Sequence, residues 1–324
     1  MVTVVIPLYN KVRYIKRALD SVLAQTHRDF EVIVVNDGST DGSERIVEQY
    51  TDPRIRLVNQ ANAGECAARN RGIGESRADL IAFLDADDEW LPEFLVTILC
   101  LANHYPDCGI YATGKIIRMQ DGHELKLKYP GIPDVPWEGV ISNYFLARKS
   151  QPVNSSNCAV PKRVLEHVGY FPVGERHGGD LDTWCRIALK YRVALSTCPR
   201  AVMYCNTDNS VSASIATPIY TAIIGTLDGA LRDGSLPGWV AYKDVLDYRN
   251  YLVMVAARAG LVNLRGYAAT AREMLKSTWA TRGLRAAAAL WYLLSFLPSS
   301  VVSALWIAAV ASGRFTKRVL GVSR

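Results

Sequence analysis

Across its first hundred residues the chain alternates short apolar, β-branched stretches with stretches of helical spacing, and this rhythm narrows the architecture more than any other feature. Thr3 to Leu8, Phe30 to Val35, Ile55 to Val58 and Leu80 to Leu84 read as buried strands. Between and after them, Val12 to Ala24 carries apolar residues at helical intervals (Ile15, Ala18, Leu19, Val22, Leu23), and Ser43 to Tyr50, Glu65 to Gly74 and Pro92 to Ala102 read as further helices. Successive βα units imply a parallel sheet with helices on both faces, because parallel neighbours need a crossover between them. Such an α/β fold binds ligands at the carboxyl ends of its strands.

The strand ends therefore carry the chemistry. The first turn, Pro7-Leu8-Tyr9-Asn10, contains no Gly-x-Gly-x-x-Gly, which argues against a dinucleotide-binding fold. The second strand runs into Asn36-Asp37-Gly38-Ser39-Thr40-Asp41-Gly42-Ser43. An acid there can accept hydrogen bonds from a base or a ribose; equally, Asp37 could form an Asx-turn beside Gly38. The fourth strand delivers Asp85-Ala86-Asp87-Asp88 into the crevice. Clustered carboxylates repel one another unless a metal, a proton or a basic partner compensates them, and hard oxygen ligands suit Mg²⁺ or Mn²⁺. The alternative is a polar loop in which Asp88 and Glu89 open a helix at Trp90-Leu91-Pro92.

Seven cysteines, odd in number and without Cys-x-x-Cys spacing, argue against a disulfide framework or a zinc site and point to reduced thiols. No basic lead or long apolar run follows Met1, so neither a signal peptide nor an N-terminal anchor is expected, and the main domain is expected to be cytoplasmic. The net charge of +6 is concentrated at the other end, where ten Lys or Arg and a single acid, Glu273, lie from Arg258 onward. Residues 286–313 contain no charged side chain, and Pro298-Ser299-Ser300 divides them into halves too short to span a bilayer alone. Arg282 and Arg285 precede the run, and Arg314, Lys317 and Arg318 come after it. Basic residues at both flanks favour both ends on the cytosolic side, hence a peripheral or monotopic hairpin at the inner face of the cell membrane. A kinked span, or a buried helix pair or homo-oligomer contact, are the alternatives. Either membrane reading accounts for the basic tail without nucleic acid.

Four stretches in order closely resemble the family 2 glycosyltransferases with the GT-A fold. They are Val5-Ile6-Pro7-Leu8-Tyr9-Asn10-Lys11; Val34-Val35-Asn36-Asp37-Gly38-Ser39-Thr40-Asp41; Asn62-Ala63-Gly64 with Ala68-Arg69-Asn70; and Phe83-Leu84-Asp85-Ala86-Asp87-Asp88. The resemblance continues more weakly through Ala159-Val160-Pro161-Lys162 and Val168-Gly169-Tyr170-Phe171 to about residue 210. The C-terminal third lies outside the resemblance. Helical periodicity through Val245 to Ala259 and Leu264 to Leu275, with turn signals at Asp233-Gly234-Ser235 and Pro237-Gly238, reads as a helical extension over 216–282. The apolar run with its basic flanks reads as a membrane-associating segment over 283–324. Residues 105–215 are less regular, with prolines at 130, 133, 136 and 152 and further strand-like pieces, and read as the second half of the first domain. The resemblance implies a mixed, mostly parallel sheet flanked by helices, in a GT-A catalytic domain over 1–215 (nucleotide-binding half 1–104, acceptor half 105–215). It also implies nucleotide-sugar-dependent glycosyl transfer with inversion at the anomeric carbon. Carried over residue by residue, Asp37 would hydrogen-bond uracil and Tyr9 would pack on it, with Pro7 shaping the first turn. Arg69 would lie near the nucleotide, Asp85 would meet the ribose side, and Asp87 would ligate Mg²⁺ or Mn²⁺ on the diphosphate. Tyr9 could instead simply pack the turn.

An inverting displacement needs a group to accept the proton of the attacking hydroxyl. The family typically supplies it in a Glu-Asp pair before a tryptophan-bearing helix, and the matching stretch is Gly178-Gly179-Asp180-Leu181-Asp182-Thr183-Trp184. Asp180 takes the base position, whereas Gly179 stands where the Glu usually does. Asp182 reads as the cap of the following helix, with a second functional carboxylate as the alternative, and His177 as a loop histidine, with a group acting on phosphate or metal as the alternative. The function implied is transfer from a UDP-sugar to a glycan or lipid-linked acceptor in bacterial-type surface polysaccharide synthesis. A nucleotidyltransferase, or a catalytically silent sugar-nucleotide or glycan-binding partner, are the competing readings.

Overall fold

The computed structural model describes residues 1–134, 136–175, 178–205, 221–234 and 236–260. In chain order the elements are β1 (Val2–Leu8), α1 (Ile15–Leu23), β2 (Phe30–Asp37), α2 (Ser43–Glu48), β3 (Ile55–Gln60), α3 (Glu65–Glu75), β4 (Leu80–Phe83), β5 (Glu89–Trp90), α4 (Phe94–His104) and β6 (Cys108–Arg118). They continue with β7 (Glu124–Lys126), β8 (Glu138–Val140), α5 (Tyr144–Ala147), β9 (Cys158–Pro161), α6 (Lys162–Val168), α7 (Gly179–Ala188), β10 (Arg192–Tyr204), α8 (Thr221–Asp233) and α9 (Tyr242–Gly260).

One mixed sheet runs β3-β2-β1-β4-β9-β6-β10-β5, with β7 on β6 and β8 on β10. The expected βα rhythm builds its parallel half, in which β2 pairs with β1 and β3, and β1 pairs with β4. Strands β1 and β2 are buried on almost every residue, as befits interior strands covered on both faces. Helix α1 covers them with Ile15, Ala18, Leu19 and Val22, one apolar stripe at helical spacing. Helix α3 crosses β1 so closely that a Cβ on Gly72 would stand 2.4 Å from Val5 Cγ1. Pairing of β1 with β4 ends at Val5↔Phe83, so Pro7 lies beyond β4 and its missing N–H leaves no partner stranded there.

Strand β9 runs antiparallel to both β4 and β6, which makes the sheet mixed, and β6 returns parallel to β10. The stretch that looked irregular in sequence thus holds the two longest strands, of 11 and 13 residues. Register shifts in β10 around Ser196, Pro199 and Ala201 break the alternation that would have revealed it.

The expected helix opening at Asp88 and Glu89 is not formed. Glu89 and Trp90 make β5, antiparallel to Val202 and Ala201 of β10, and α4 begins only at Phe94, with Glu93 at its N-cap. Trp90 stacks on Phe94 at 4.0 Å, and its indole N–H donates to the Ser156 carbonyl at 2.7 Å. That long-range pairing outweighs the local capping signal.

Helices α8 and α9 form where the C-terminal helical pattern was read, and the turn signals at Asp233-Gly234 and Pro237-Gly238 fall between them. The chain divides into two compact units, Met1–Ser214 with Tyr220–Arg249, and Ile215–Ile219 with Asn250–Arg324. Among the described residues no helix is long and apolar enough to cross a membrane. The apolar run 286–313 and His177 lie outside the described residues.

Candidate functional site

The acids after β4 have three different surroundings. Asp85 receives Arg69 Nη2 on Oδ1 at 2.7 Å, and its N–H donates to Ser156 Oγ at 3.2 Å. Asp87 receives Lys11 Nζ at 2.6 Å, while Arg17 holds its backbone carbonyl. Asp88 is buried, taking Ser156 Oγ at 2.5 Å and the Tyr204 N–H at 3.0 Å. Burial and the neighbouring Asp87 and Asp85 push the Asp88 carboxyl well above its ordinary range. Asp88 is therefore a core polar group that ties the β4 turn to the end of β10, and not a helix cap.

Asp37 is also buried, at the carboxyl end of β2. Its Oδ1 accepts from Gln60 Nε2 at 2.7 Å and from the Ala63 N–H at 2.9 Å, and Oδ2 accepts from the Gly64 N–H at 2.9 Å. Three of roughly four acceptor positions on the carboxylate are thus used within the chain. The turn bond expected of Asp37 is made by its neighbour, since Asn36 Oδ1 accepts from the Ser39 N–H at 3.0 Å. Gly38 (φ +74°) lies where a Cβ would meet the Asn62 N atom at 3.0 Å, so the two loops close only around glycine. Asp37 in this way fixes the segment leading into α3, and α3 carries Arg69. Tyr9 stands 46% exposed just past β1, a ring available for stacking on a planar ligand.

Asp180 occupies the first turn of α7, after Gly178 in the left-handed region (φ 74°). One turn later Trp184, fully buried, packs against Phe83 at the end of β4 and against Phe171, with ring centroids 5.8 and 5.4 Å away. Asn70 of α3 clamps Phe171 from the other side, donating to its carbonyl at 2.8 Å and accepting its N–H at 2.9 Å. These contacts bring α3, the β4 end and the start of α7 together across more than a hundred residues of chain. The Asp180 charge accordingly acts on Arg69, Asp85 and Glu65.

Asp182 does not cap α7, because the cap position is Gly178. Its buried carboxylate instead receives Arg186 Nε at 2.7 Å and Thr226 Oγ1 of α8 at 2.6 Å. Gly179 faces α3, and a Cβ built on it would come within 2.4 Å of Cys66 Sγ.

Arg69 is the hub. It is 2% exposed, its Nη2 contacts both Glu65 and Asp85, and its guanidinium lies 5.4 Å from the centre of the Phe171 ring. The three acids around it hold it firmly protonated against its burial. Desolvation and the neighbouring Asp87 raise the Asp85 carboxyl above its ordinary value, with Arg69 opposing. The structure thus joins Arg69 to Asp85, packs the turn of α7 that carries Asp180 against the same β4 end and α3, and links Asp37 to Arg69 through the loop before α3. Two participants escaped the sequence reading, Glu65 and the Lys11 partner of Asp87. Glu65 had a legible signal, four residues before Arg69 on one helix face.

Among the described residues no group of three or more His, Cys, Asp or Glu is arranged to hold a metal by itself. The donor chemistry still fits a divalent ion that takes most of its ligands from a diphosphate. Mg²⁺ is commonly held by one or two carboxylates plus phosphates, and Asp87 already neutralises a cation, the Lys11 ammonium.

Residues 3–163 match the sequence profile described as Glycosyl transferase family 2. The putative teichuronic acid biosynthesis glycosyltransferase TuaG of Bacillus subtilis (strain 168) is 38% identical over 128 residues, 39% of this chain and 50% of that protein. Of the curated relatives first matched, the alignments span only about a third, 31% and 30% of their length. Among solved structures, S. aureus TarS 1-349 in complex with UDP-GlcNAc superposes with a TM-score of 0.70 at 16% identity, over 96% of this chain and 92% of that one. The mannosyltransferase PcManGT from Pyrobaculum calidifontis, in complex with GDP-Man and Mn²⁺, gives 0.58 at 22% identity, over 97% and 87%. At those identities the two structures speak to the fold. Profile, motifs and fold agree, and the chain belongs to glycosyltransferase family 2, with the GT-A fold.

Proposed function

We propose that this chain transfers a sugar, with inversion, from a UDP-sugar to a hydroxyl of a glycan or lipid-linked acceptor in surface polysaccharide synthesis. The observation that carries the reading is the bond from buried Arg69 to Asp85, with Asp180 at the start of α7 near enough for its charge to bear on both. A nucleotide-side acid and a candidate base then flank one reaction centre. The names of the relatives support the substrate class: TuaG is assigned to teichuronic acid biosynthesis, TarS was solved with UDP-GlcNAc and PcManGT with GDP-Man.

In this reading Asp37 and Tyr9 receive the base, Pro7 shapes the turn beneath it, and Asp85 with Arg69 orients the ribose and diphosphate. The acceptor oxygen attacks the anomeric carbon from the face opposite the diphosphate. As the new C–O bond forms, its proton passes to Asp180, and the bond to the diphosphate oxygen breaks with its electron pair leaving on UDP. Asp87 would hold Mg²⁺ or Mn²⁺, which as a Lewis acid supplies charge stabilisation to the departing diphosphate. Residues 283–324 would dock the protein on the inner membrane face, close to a lipid-linked acceptor.

A nucleotide-sugar panel (UDP-glucose, UDP-N-acetylglucosamine, GDP-mannose) incubated with Mn²⁺ tests the reading. Slow release of nucleoside diphosphate that disappears in Asp87→Asn supports it; no release and no transfer with any of the panel removes it. Deleting residues 283–324 should move the protein from the membrane fraction to the supernatant, and full membrane recovery would refute docking through that segment.

A further inference from the structure

The first turn of α7 has no side chain beside Asp180 on the α3 side, because Gly179 is pressed against Cys66. A Cβ there would approach the Cys66 sulfur to 2.4 Å, and Cys66 is itself buried. The residue before Cys66 is Glu65, the first residue of α3. Its carboxylate contacts Arg69 Nη2, the same nitrogen that holds Asp85 Oδ1 at 2.7 Å. Asp180 is close enough for its charge to act on both Glu65 and Asp85. Both side chains keep solvent access, 43% for Glu65 and 29% for Asp85.

A surface Glu–Arg pair at this helical spacing contributes little to stability. Here the pair is set among competing acids: desolvation, opposed by Arg69, and the charges of Asp85 and Asp180 together push the Glu65 carboxyl upward. Arg69, buried as it is, retains an Nε with no hydrogen-bond partner. An open acid, held by Arg69 beside the nucleotide-side carboxylate, suits a polyhydroxylated ligand whose hydroxyls can donate to it.

We propose that Glu65 binds a hydroxyl of the transferred sugar, supplying from α3 the second carboxylate that Gly179 denies to α7. This rests on the nucleotide-sugar reading given above, and it makes Glu65 a donor-sugar recognition residue, with Asp180 remaining the base.

The test compares affinities for UDP and for the UDP-sugar that the wild type turns over, by calorimetry with Mn²⁺ present. Glu65→Gln keeps a carbonyl for Arg69 and removes the charge. Affinity for UDP should stay within about twofold, while affinity for the UDP-sugar should fall about tenfold or more, the loss expected for a hydrogen bond to a charged acceptor. The triple variant Glu65→Gln/Cys66→Ala/Gly179→Glu, in which removal of the sulfur makes room for the relocated carboxylate, should regain most of that loss. Equal loss for UDP and UDP-sugar would show that Glu65 merely holds Arg69, and no loss for either would overturn the inference as well. A wild type that binds none of the nucleotide sugars would instead overturn the transferase reading itself.

Discussion

Two glycines in one helix should respond to alanine with opposite signs. Gly72 and Gly74 both lie in α3 with ordinary helical backbone, so replacing either gains roughly 0.5–1 kcal/mol from the lower conformational entropy of alanine in the unfolded chain. At Gly74 nothing stands within 4 Å of the added Cβ, and the gain should appear in full. At Gly72 the methyl would meet Val5 Cγ1 at 2.4 Å and Cγ2 at 3.1 Å. Carbon–carbon contacts are optimal at about 3.5–4.0 Å, so the nearest overlap exceeds an ångström. Val5 cannot give way, because it is fully buried in β1 between β2 and β4. Overpacking costs about 1–3 kcal/mol, and an overlap this large against an immobile side chain takes the upper part of that range, about 2–3 kcal/mol, leaving a net loss of about 1–2 kcal/mol after a helical gain of about 1 kcal/mol. Thermal unfolding read by circular dichroism should show Gly74→Ala raised by about 2–3 °C and Gly72→Ala lowered by about 3–6 °C, at roughly 3 °C per kcal/mol for a domain of this size. In a Val5→Ala background the Gly72→Ala penalty should disappear, since both atoms first met are gone. Because α3 carries Arg69 and Glu65, Gly72→Ala should also weaken nucleotide-sugar binding. Equal stabilisation by both alanines would refute the close crossing of α3 over β1.

Lys115 is fully enclosed, donates to the Gln151 carbonyl at 2.7 Å, and is pushed down to about 7 by burial, reinforced by Arg148. Its unfolded counterpart keeps its proton up to about 10.4, so between those values the unfolded chain binds more protons and stability rises with pH. Lys115→Met should flatten that rise in thermal midpoints recorded from pH 6.5 to pH 10; an unchanged slope would rule out Lys115 as its source. Asp182→Ala removes the buried acceptor of Arg186 and Thr226 and should cost about 2–4 kcal/mol in denaturant unfolding, whereas a loss below about 0.5 kcal/mol would show that α8 does not depend on it.

The parallel half of the sheet was legible because its strands are short, apolar on both faces and separated by helices with a single buried stripe. The β4 end was equally plain, since an apolar run stopping at Asp85 can only project the next acids into the crevice. Pairing at long range, by contrast, leaves no mark in local pattern. Asp88 looks like a cap until β10 arrives more than a hundred residues later to give it the Tyr204 N–H. Asp182 shows the same limit, because Thr226 and the glycine cap at 178 decide its role. Gly179 was visible as a departure from its family, but the reason for it, the Cys66 sulfur in its path, exists only once α3 and α7 are packed. Glu65 is a parallel case, an ordinary helix-face acid in sequence and a neighbour of Asp85 and Asp180 in space.

The central claim is that Asp180 completes, from α7, the site begun at the end of β4. It is tested most directly by the turnover of Asp180→Asn on the UDP-sugar and acceptor that the wild type uses, measured alongside affinity for UDP. UDP affinity should be unchanged and turnover lower by about 10²–10⁴-fold, the contribution of a positioned general base. Turnover within about twofold of the wild type would contradict it.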